Sequence, residues 1–441
     1  MFLPHLVFLF LISKSDITIM PLTIHQEEKL EEALDLLESN RAVLIKGNAG
    51  TGKTYLLDEL ISRVSVGMQS YKKIYGSAPT NKAVGILTGK INTKVKNLEL
   101  ITTHKAMKIS AFIDNKTGKK SFIPMFSDKN PPLKGVKYLI VDESSMIDIR
   151  MHIHIIEHAT RQNCKIIFLG DDKQINPVGE IDSTVFLGKP IKFDTKEDVI
   201  TWNDIHDIET EPIQVDDKWI CFEPYPEIEL TEIIRQGEGN PIITLSRNLS
   251  AIWELETRMI EDKGFCYTFD ENKVIEELAK VNGTDTLKYL AWTNDAVDRI
   301  NKAVRERIYI DPRKIEVGES LIFDSPYEEY YTSQELRVDT LDIDTITFNV
   351  ITQENPTVEI TKVPLKCYII NGKKVDTWGD NKPTWQGVFV IHEDSEAHLD
   401  ILSKVLLTSA KKRQIKFTTR ESFIIKFAQV KYNHAITIHK S

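Results

Sequence analysis

The chain reads first as an alternation of short apolar runs and amphipathic stretches. From Met20, MPLTIHQEEKLEEALDLLES spaces its apolar residues three and four apart behind Thr23, which predicts a capped amphipathic helix. Arg41 to Ile45 (RAVLI) is a short apolar run of the buried-strand kind, and YLLDELISRV further on has helical spacing. Two more strand-like runs follow, Lys137 to Val141 (KYLIV) and Lys165 to Leu169 (KIIFL), with the helix-like SSMIDIRMHIHII between them. Such alternation predicts an α/β fold with parallel sheets. Between these runs, Ser110 to Phe126 reads as two strands (AFID and SFIP) flanking Asn115-Lys116-Thr117-Gly118-Lys119, with Gly118 suited to a tight hairpin turn. After Tyr309 the pattern becomes strand-rich (VGESLIF, ITFNVIT, VPLKCYII, GVFVI), then helix-like from Glu393 to Arg413.

The opening segment MFLPHLVFLFLI is almost wholly apolar, yet too short to span a bilayer as a helix, which takes about 20 residues. It lacks the basic residues that precede the apolar stretch of a signal peptide. Residues 1–19 are therefore placed outside the fold, as an upstream extension before Met20, with a signal or anchor as the alternative.

Of the 441 residues, 41% are apolar and 27% charged, a globular balance that argues against disorder and leaves room for two large domains or three average ones. The four cysteines (Cys164, Cys221, Cys266, Cys367) are far apart and without metal-ligand spacing, which argues against a disulfide scaffold and a structural zinc site and fits a cytoplasmic setting. The net charge of −9 does not by itself favour nucleic acid, but it is unevenly placed. Asp194 to Asp217 holds nine acidic residues against one basic, and Lys404 to Lys431 eight basic against one acidic. The first reads as a surface insertion that would repel phosphate; the second is a basic face or a solvated helix.

The candidate chemistry lies where strands end. The RAVLI strand feeds Gly47-Asn48-Ala49-Gly50-Thr51-Gly52-Lys53-Thr54, a G-x-x-x-x-G-K-[ST] loop between a strand and a helix. Its glycines let backbone N–H groups surround phosphate oxygens, Lys53 reaches the β- and γ-phosphates, and Thr54 is placed to ligate Mg²⁺. The KYLIV strand ends in Asp142-Glu143: Asp142 as a metal carboxylate and Glu143 as proton acceptor from water, against the alternative of a helix N-cap. KIIFL ends in Gly170-Asp171-Asp172-Lys173-Gln174, where Gln174 is either a γ-phosphate sensor or a surface turn residue; spacing alone does not choose.

These segments, in this order, resemble superfamily 1 DNA helicases of subclass B, the Dda type first and RecD-like and Pif-like enzymes as the wider circle. KGNAGTGKT is similar to motif I, APTNKAV (Ala78 to Val84) to motif Ia, and TTHKAM (Thr102 to Met107) to the next DNA-contact motif. YLIVDESSM resembles motif II, LGDDKQINPV motif III and ELTEIIRQ (Glu229 to Gln236) motif IV. LAWTNDAVDRIN (Leu290 to Asn301) resembles the segment after it, and NHAITIHKS (Asn433 to Ser441) the opening of motif V. The resemblance covers residues 20–441.

It implies ATP and Mg²⁺ as cofactors, with catalysis by Lys53, Glu143, Gln174 and an arginine finger, Arg235. It implies adenine contact by Gln26, whose other reading is a capping box with Thr23. Single-stranded DNA would meet Pro79, Thr80, His104, Thr293, Asn294 and His439; Thr80 and Thr293 also sit where an N-cap is expected. Phe112 and Phe122, on the hairpin, fall where the family carries a duplex-splitting pin, and packing across the hairpin is their other reading.

The implied architecture is two RecA-like motor domains with ATP between them: 20–226, holding the pin insert 108–133 and the acidic insertion 180–226, and 227–441, holding a strand-rich SH3-like and tower insert at 310–430. The family's motif V continues past Ser441 and motif VI follows it, so the chain is expected to be C-terminally incomplete. With the extension before Met20, this suggests a gene fragment or a frameshifted reading, with a virus as the candidate source. The expected function is an ATP-dependent helicase moving 5′ to 3′ on single-stranded and forked DNA, as a monomer in the (host) cytoplasm, with a single-strand binding protein or replication factors as candidate partners and no membrane. A catalytically weak, nucleotide-gated single-strand binder is the alternative, and a P-loop ATPase acting on other substrates a third.

Overall fold

A computed structural model describes residues 7–8, 22–48, 50–91, 95–113, 120–206, 208, 211–232, 258–260, 263–265, 267–268, 270–281, 287–291, 293–311, 313–324, 327, 330, 333–354, 357–375, 383–396 and 427–437. Ala49, Arg235, His439 and the basic segment from 404 to 426 lie outside them, as does the side chain of Phe112. The chain divides into two compact units, one of residues 16–112 and 120–238, the other of 1–15, 113–119 and 239–441.

The first unit opens with helix α1 (Ile24–Ser39), strand β1 (Ala42–Gly47) and α2 (Lys53–Ser65). There follow β2 (Lys73–Ala78), α3 (Asn81–Lys90), β3 (Leu98–Thr102) and a single turn, α4 (Thr103–Ala106). A two-stranded hairpin, β4 (Ile109–Ile113) and β5 (Lys120–Pro124), leads to β6 (Val136–Val141), α5 (Ile149–Gln162) and β7 (Lys165–Gly170). The last part is β8 (Lys189–Phe193), α6 (Lys196–His206), β9 (Ile213–Val215), β10 (Lys218–Glu223) and β11 (Glu227–Leu230).

Six of these strands form one all-parallel sheet in the order β11-β1-β7-β6-β2-β3. The central strands β1, β6 and β7 carry the apolar runs AVLI, YLIV and IIFL because both their faces are covered, while the edge strand β11 (EIEL) alternates buried and exposed residues. Ala42 and Leu44 face a core with Leu139, Val141 and Phe168, while Val43 and Ile45 face the other with Ile140, Ile167 and α1's Leu30 and Leu37. The sequence reading ends this domain at 226. Instead Glu227–Leu230 pairs parallel with β1, because the alternating Ile228 and Leu230 complete the second core.

The acidic stretch is built into structure. β8, β9 and β10 make a three-stranded antiparallel sheet carrying α6, and Ile220 and Phe222 pack on Ile153 of α5. His152 ties α5 to this region: its ring nitrogens meet Thr184 Oγ1 at 3.0 Å and the Tyr225 hydroxyl at 2.9 Å.

In the second unit, α7 (Glu271–Lys280), β12 (Tyr289–Ala291) and α8 (Asn294–Ile308) share a core with β18 (Ala435–Thr437), which pairs parallel with β12. The intervening chain forms a five-stranded antiparallel sheet: β13 (Ser320–Phe323), β14 (Glu335–Glu354), β15 (Thr357–Val375), β16 (Pro383–Ile391) and β17 (Val430–Tyr432), in the order β16-β15-β14-β13-β17. Asn301 of α8 secures the return, its Oδ1 accepting the His434 and Ala435 N–H groups at 3.1 and 2.9 Å. No helix among the described residues is long and apolar enough to cross a membrane.

Candidate nucleotide site and the loops beside it

In a parallel sheet every strand delivers its next loop to the same edge. Here that edge carries the P-loop after β1, Asp171 and Gln174 after β7, Asp142 and Glu143 after β6, Pro79 and Thr80 after β2, and His104 after β3. The register keeps these strand ends level, with Lys46 opposite Gly170, Val141 opposite Phe168 and Ser77, and Ala78 opposite Thr102.

The P-loop turns on its glycines. Gly50 and Gly52 have φ of 88° and 78°, a region that side chains disfavour. A Cβ on Gly47 would lie 2.7 Å from Thr51 Oγ1, so the loop closes on itself only with glycine there. Thr51 Oγ1 donates to the Asn48 carbonyl at 2.9 Å, and Lys53 Nζ donates to the carbonyls of Gly47 and Asn48. Lys53 and Thr54 occupy the first turn of α2, both half-buried. Burial pushes the Lys53 amine down, opposed most by Asp171, then by Glu143 and Asp142. Three carboxylates therefore face one ammonium.

Asp142 is 8% exposed, and its Oδ1 accepts the Glu143 N–H at 3.0 Å. Burial raises its pKa. Burial also pushes Glu143 up to about 7, reinforced by Asp142 and opposed by Lys53 and Lys90. Glu143 has φ 51° and ψ 45°, a left-handed backbone that costs a non-glycine residue about 1–3 kcal/mol. Neither side chain caps a helix: Glu143 precedes the 3₁₀ turn Ser144–Met146 without a side-chain capping bond, and α5 is capped by Asp148, whose Oδ1 accepts the Met151 N–H at 2.8 Å. Gln174 is held by Asp171, its Nε2 donating to Oδ2 at 3.2 Å, while Asp171 Oδ1 accepts the Lys173 N–H at 3.1 Å. Asp171, 4% exposed, is the residue that reading along the chain passes over. Its signal is the one that marks Asp142: the first acid after a buried strand.

Gln26 lies on the buried stripe of α1. It forms the capping box with Thr23 and also donates from Nε2 to the Thr51 carbonyl at 3.1 Å. Thr80 Oγ1 caps α3 through the Ala83 N–H at 3.1 Å, and half-buried Pro79 precedes it. His104 and Phe122 come together, ring centroids 5.0 Å apart, with Phe122 59% exposed. Burial holds the His104 ring below the usual histidine range, against a pull from Asp148. In the second unit, Thr293 caps α8 through the Ala296 N–H at 3.3 Å, with Asn294 exposed beside it.

An AAA-domain family profile matches residues 30–180. The ATP-dependent DNA helicase Dda of enterobacteria phage T4 is 26% identical over 383 residues, covering 82% of this chain and 75% of Dda. The chain is thus similar to DNA helicases of the Dda kind. The RecD subunit of RecBCD from Buchnera aphidicola (Schizaphis graminum) is 34% identical over 167 residues, 35% of this chain and 26% of RecD. An uncharacterised mimivirus protein, R530, is 23% identical over 325 residues, covering 70% of this chain and 61% of its own length. The similarity to Dda thus covers most of the chain.

Proposed function

We propose that the chain is an ATP-dependent DNA helicase, coupling ATP hydrolysis to movement on single-stranded DNA and to the opening of forked duplexes. One observation carries the reading: a single sheet edge presents a P-loop, a carboxylate-held glutamine, a buried acid pair, a capped helix start and an aromatic-backed histidine, in that spatial order. The first three suit a triphosphate, and the last two suit a nucleic-acid backbone and base.

In this mechanism water attacks the γ-phosphorus, the bond to the bridging oxygen breaks to leave ADP, and the proton passes to a Glu143 carboxylate oxygen. A base near neutrality suits that transfer, and Glu143 lies there because it is buried beside Asp142. The donor set of Thr54 hydroxyl and Asp142 carboxylate fits Mg²⁺, which when bound neutralises phosphate charge. Lys53 binds the phosphates, and Gln174, held by Asp171, reports the γ-phosphate to the neighbouring loops. Arg235 completes the site as a transition-state cation. Thr80, Pro79 and His104 grip one part of the strand; Thr293, Asn294 and His439 grip another. Phe122, with Phe112, parts the duplex. Movement runs 5′ to 3′.

The test is ATP turnover with and without single-stranded DNA, beside Lys53→Ala. DNA-stimulated turnover lost in the variant is expected. Turnover indifferent to DNA would refute the motor reading, and DNA binding gated by nucleotide without turnover would replace it by a single-strand binder.

A further inference from the structure

The chain leaves β16 at Ile391 and turns at once. Two bonds tie that turn back to β15: the His392 N–H donates to the Lys366 carbonyl at 3.1 Å, and Ser395 Oγ accepts the Lys366 N–H at 2.9 Å. The Ser395 N–H donates to the His392 carbonyl at 2.8 Å and closes it. So tight a turn brings three consecutive side chains together. An imidazole nitrogen of His392 and carboxylate oxygens of Glu393 and Asp394 lie within 4.8 Å of one another, the one such trio among the described residues. We propose that these three residues hold a divalent cation of the zinc class, at a site separate from the nucleotide.

His392 Nδ1 is 3.5 Å from Glu393 Oε2 and 3.6 Å from Asp394 Oδ2. A cation with bonds of about 2.0–2.1 Å spaces tetrahedral ligand atoms about 3.4 Å apart, so the three atoms mark one face of such a shell. One imidazole with two carboxylates suits Zn²⁺, whereas Mg²⁺ and Ca²⁺ take oxygen alone. Asp394 is 59% exposed, which opens the fourth position to water. The charges also ask for a cation. The Asp394 N–H donates to Nδ1 at 3.2 Å, so this nitrogen presents a lone pair, not a proton, beside two carboxylates; a cation would displace that one bond. Glu393 is 10% exposed, and its Oε1 has no hydrogen-bond partner among the described residues. An enclosed carboxylate needs its charge compensated. Lys366 Nζ reaches Asp394 Oδ2 at 3.1 Å, but both side chains are half-exposed and such a pair yields easily. Tyr368 of β15 presets two of the ligands, its ring stacked on His392 at 4.7 Å and its hydroxyl donating to Glu393 Oε2 at 2.6 Å.

Co²⁺ reports such a site by colour, since tetrahedral Co²⁺ absorbs visible light strongly and octahedral Co²⁺ weakly. That separates it from the oxygen donors Thr54 and Asp142. The full chain, stripped with chelator, is titrated with Co²⁺ and then with Zn²⁺. Expected is a strong visible band that saturates at one equivalent, is displaced by Zn²⁺, persists in Asp142→Asn and disappears in His392→Gln. His392 is buried, so its replacement can disturb the fold, and the exposed Asp394 supplies the second variant. Asp394→Asn should weaken Co²⁺ binding by at least about tenfold while leaving the far-UV circular dichroism unchanged. Wild type without the band would overturn the proposal. So would a band that survives His392→Gln, or Co²⁺ affinity undiminished in Asp394→Asn.

Discussion

Replacing Asp171 by Asn probes the γ-phosphate end of the site with the least change of shape. The carboxylate is nearly enclosed, accepts from Gln174 Nε2 and the Lys173 N–H, and is the strongest opposing charge on Lys53. Asparagine keeps one oxygen. Whichever way its amide turns, one of the two donors then faces an NH₂ group, and the charge beside Lys53 is gone. Losing a charge-assisted hydrogen bond costs about 1.5–3 kcal/mol. If that bond holds Gln174 in its working position, kcat/KM for ATP should fall about 10- to 150-fold. The assay is steady-state ATP turnover at saturating single-stranded DNA, with nucleotide affinity measured separately to divide binding from chemistry. Asp171→Asn combined with Gln174→Ala should cost little more than the worse single change, because both remove one arrangement. A kcat/KM for Asp171→Asn within about threefold of wild type would refute the reasoning, and additive losses would show that the two residues act apart.

Acid should find the first unit through His152. Burial pushes that ring down to about 3, and in the unfolded chain it titrates near 6.5, so below 6.5 the unfolded chain binds more protons than the folded one. The stabilisation is complete above pH 6.5 and is lost as pH falls towards the folded value, at about 1.4 kcal/mol per pH unit. Compared with His152→Gln, which cannot titrate, wild type should therefore lose relative stability in urea melts below pH 6.5; parallel pH profiles would contradict this. Phe122→Ala should leave DNA-stimulated turnover within about twofold while slowing fork unwinding about tenfold, as loss of one base-stacking aromatic implies, and equal losses in both assays would deny it a separate role. Asn301→Ala removes the bonds accepted from the His434 and Ala435 N–H groups and the one donated to the Ala435 carbonyl, and should cost about 2–4 kcal/mol. Calorimetry should show the matching drop in Tm, and an unchanged transition would mean that the strand is held elsewhere.

Much of the first unit can be read along the chain because its strands are buried on both faces. KYLIV and KIIFL have no polar face to hide them, and the acid or glycine that ends each run marks the functional edge. Thr23, Thr80 and Thr293 are equally plain, since an N-cap is decided by its neighbours three residues on. Strand order is not local, and there the reading along the chain stops. EIEL is too short to announce itself as a sixth strand, and only the space beside β1 recruits it. The acidic stretch hides its small core for a related reason: KWICFE buries only Ile220, Cys221 and Phe222 among charges that dominate the composition.

Gln26 shows where the local and the distant meet. Its position on the 26-30-33-37 stripe is visible in the sequence, and so is its place in a capping box. What periodicity cannot supply is the partner for its second polar end. That partner is a carbonyl 25 residues away, brought within reach because α1 and β1 share a core and β1 ends in the loop that Thr51 completes. A buried polar residue on an apolar stripe signals that some such partner exists, because an unpaired amide at that depth would cost about 1–3 kcal/mol. Seen this way, the glutamine is one end of a strut between the first helix and the phosphate loop.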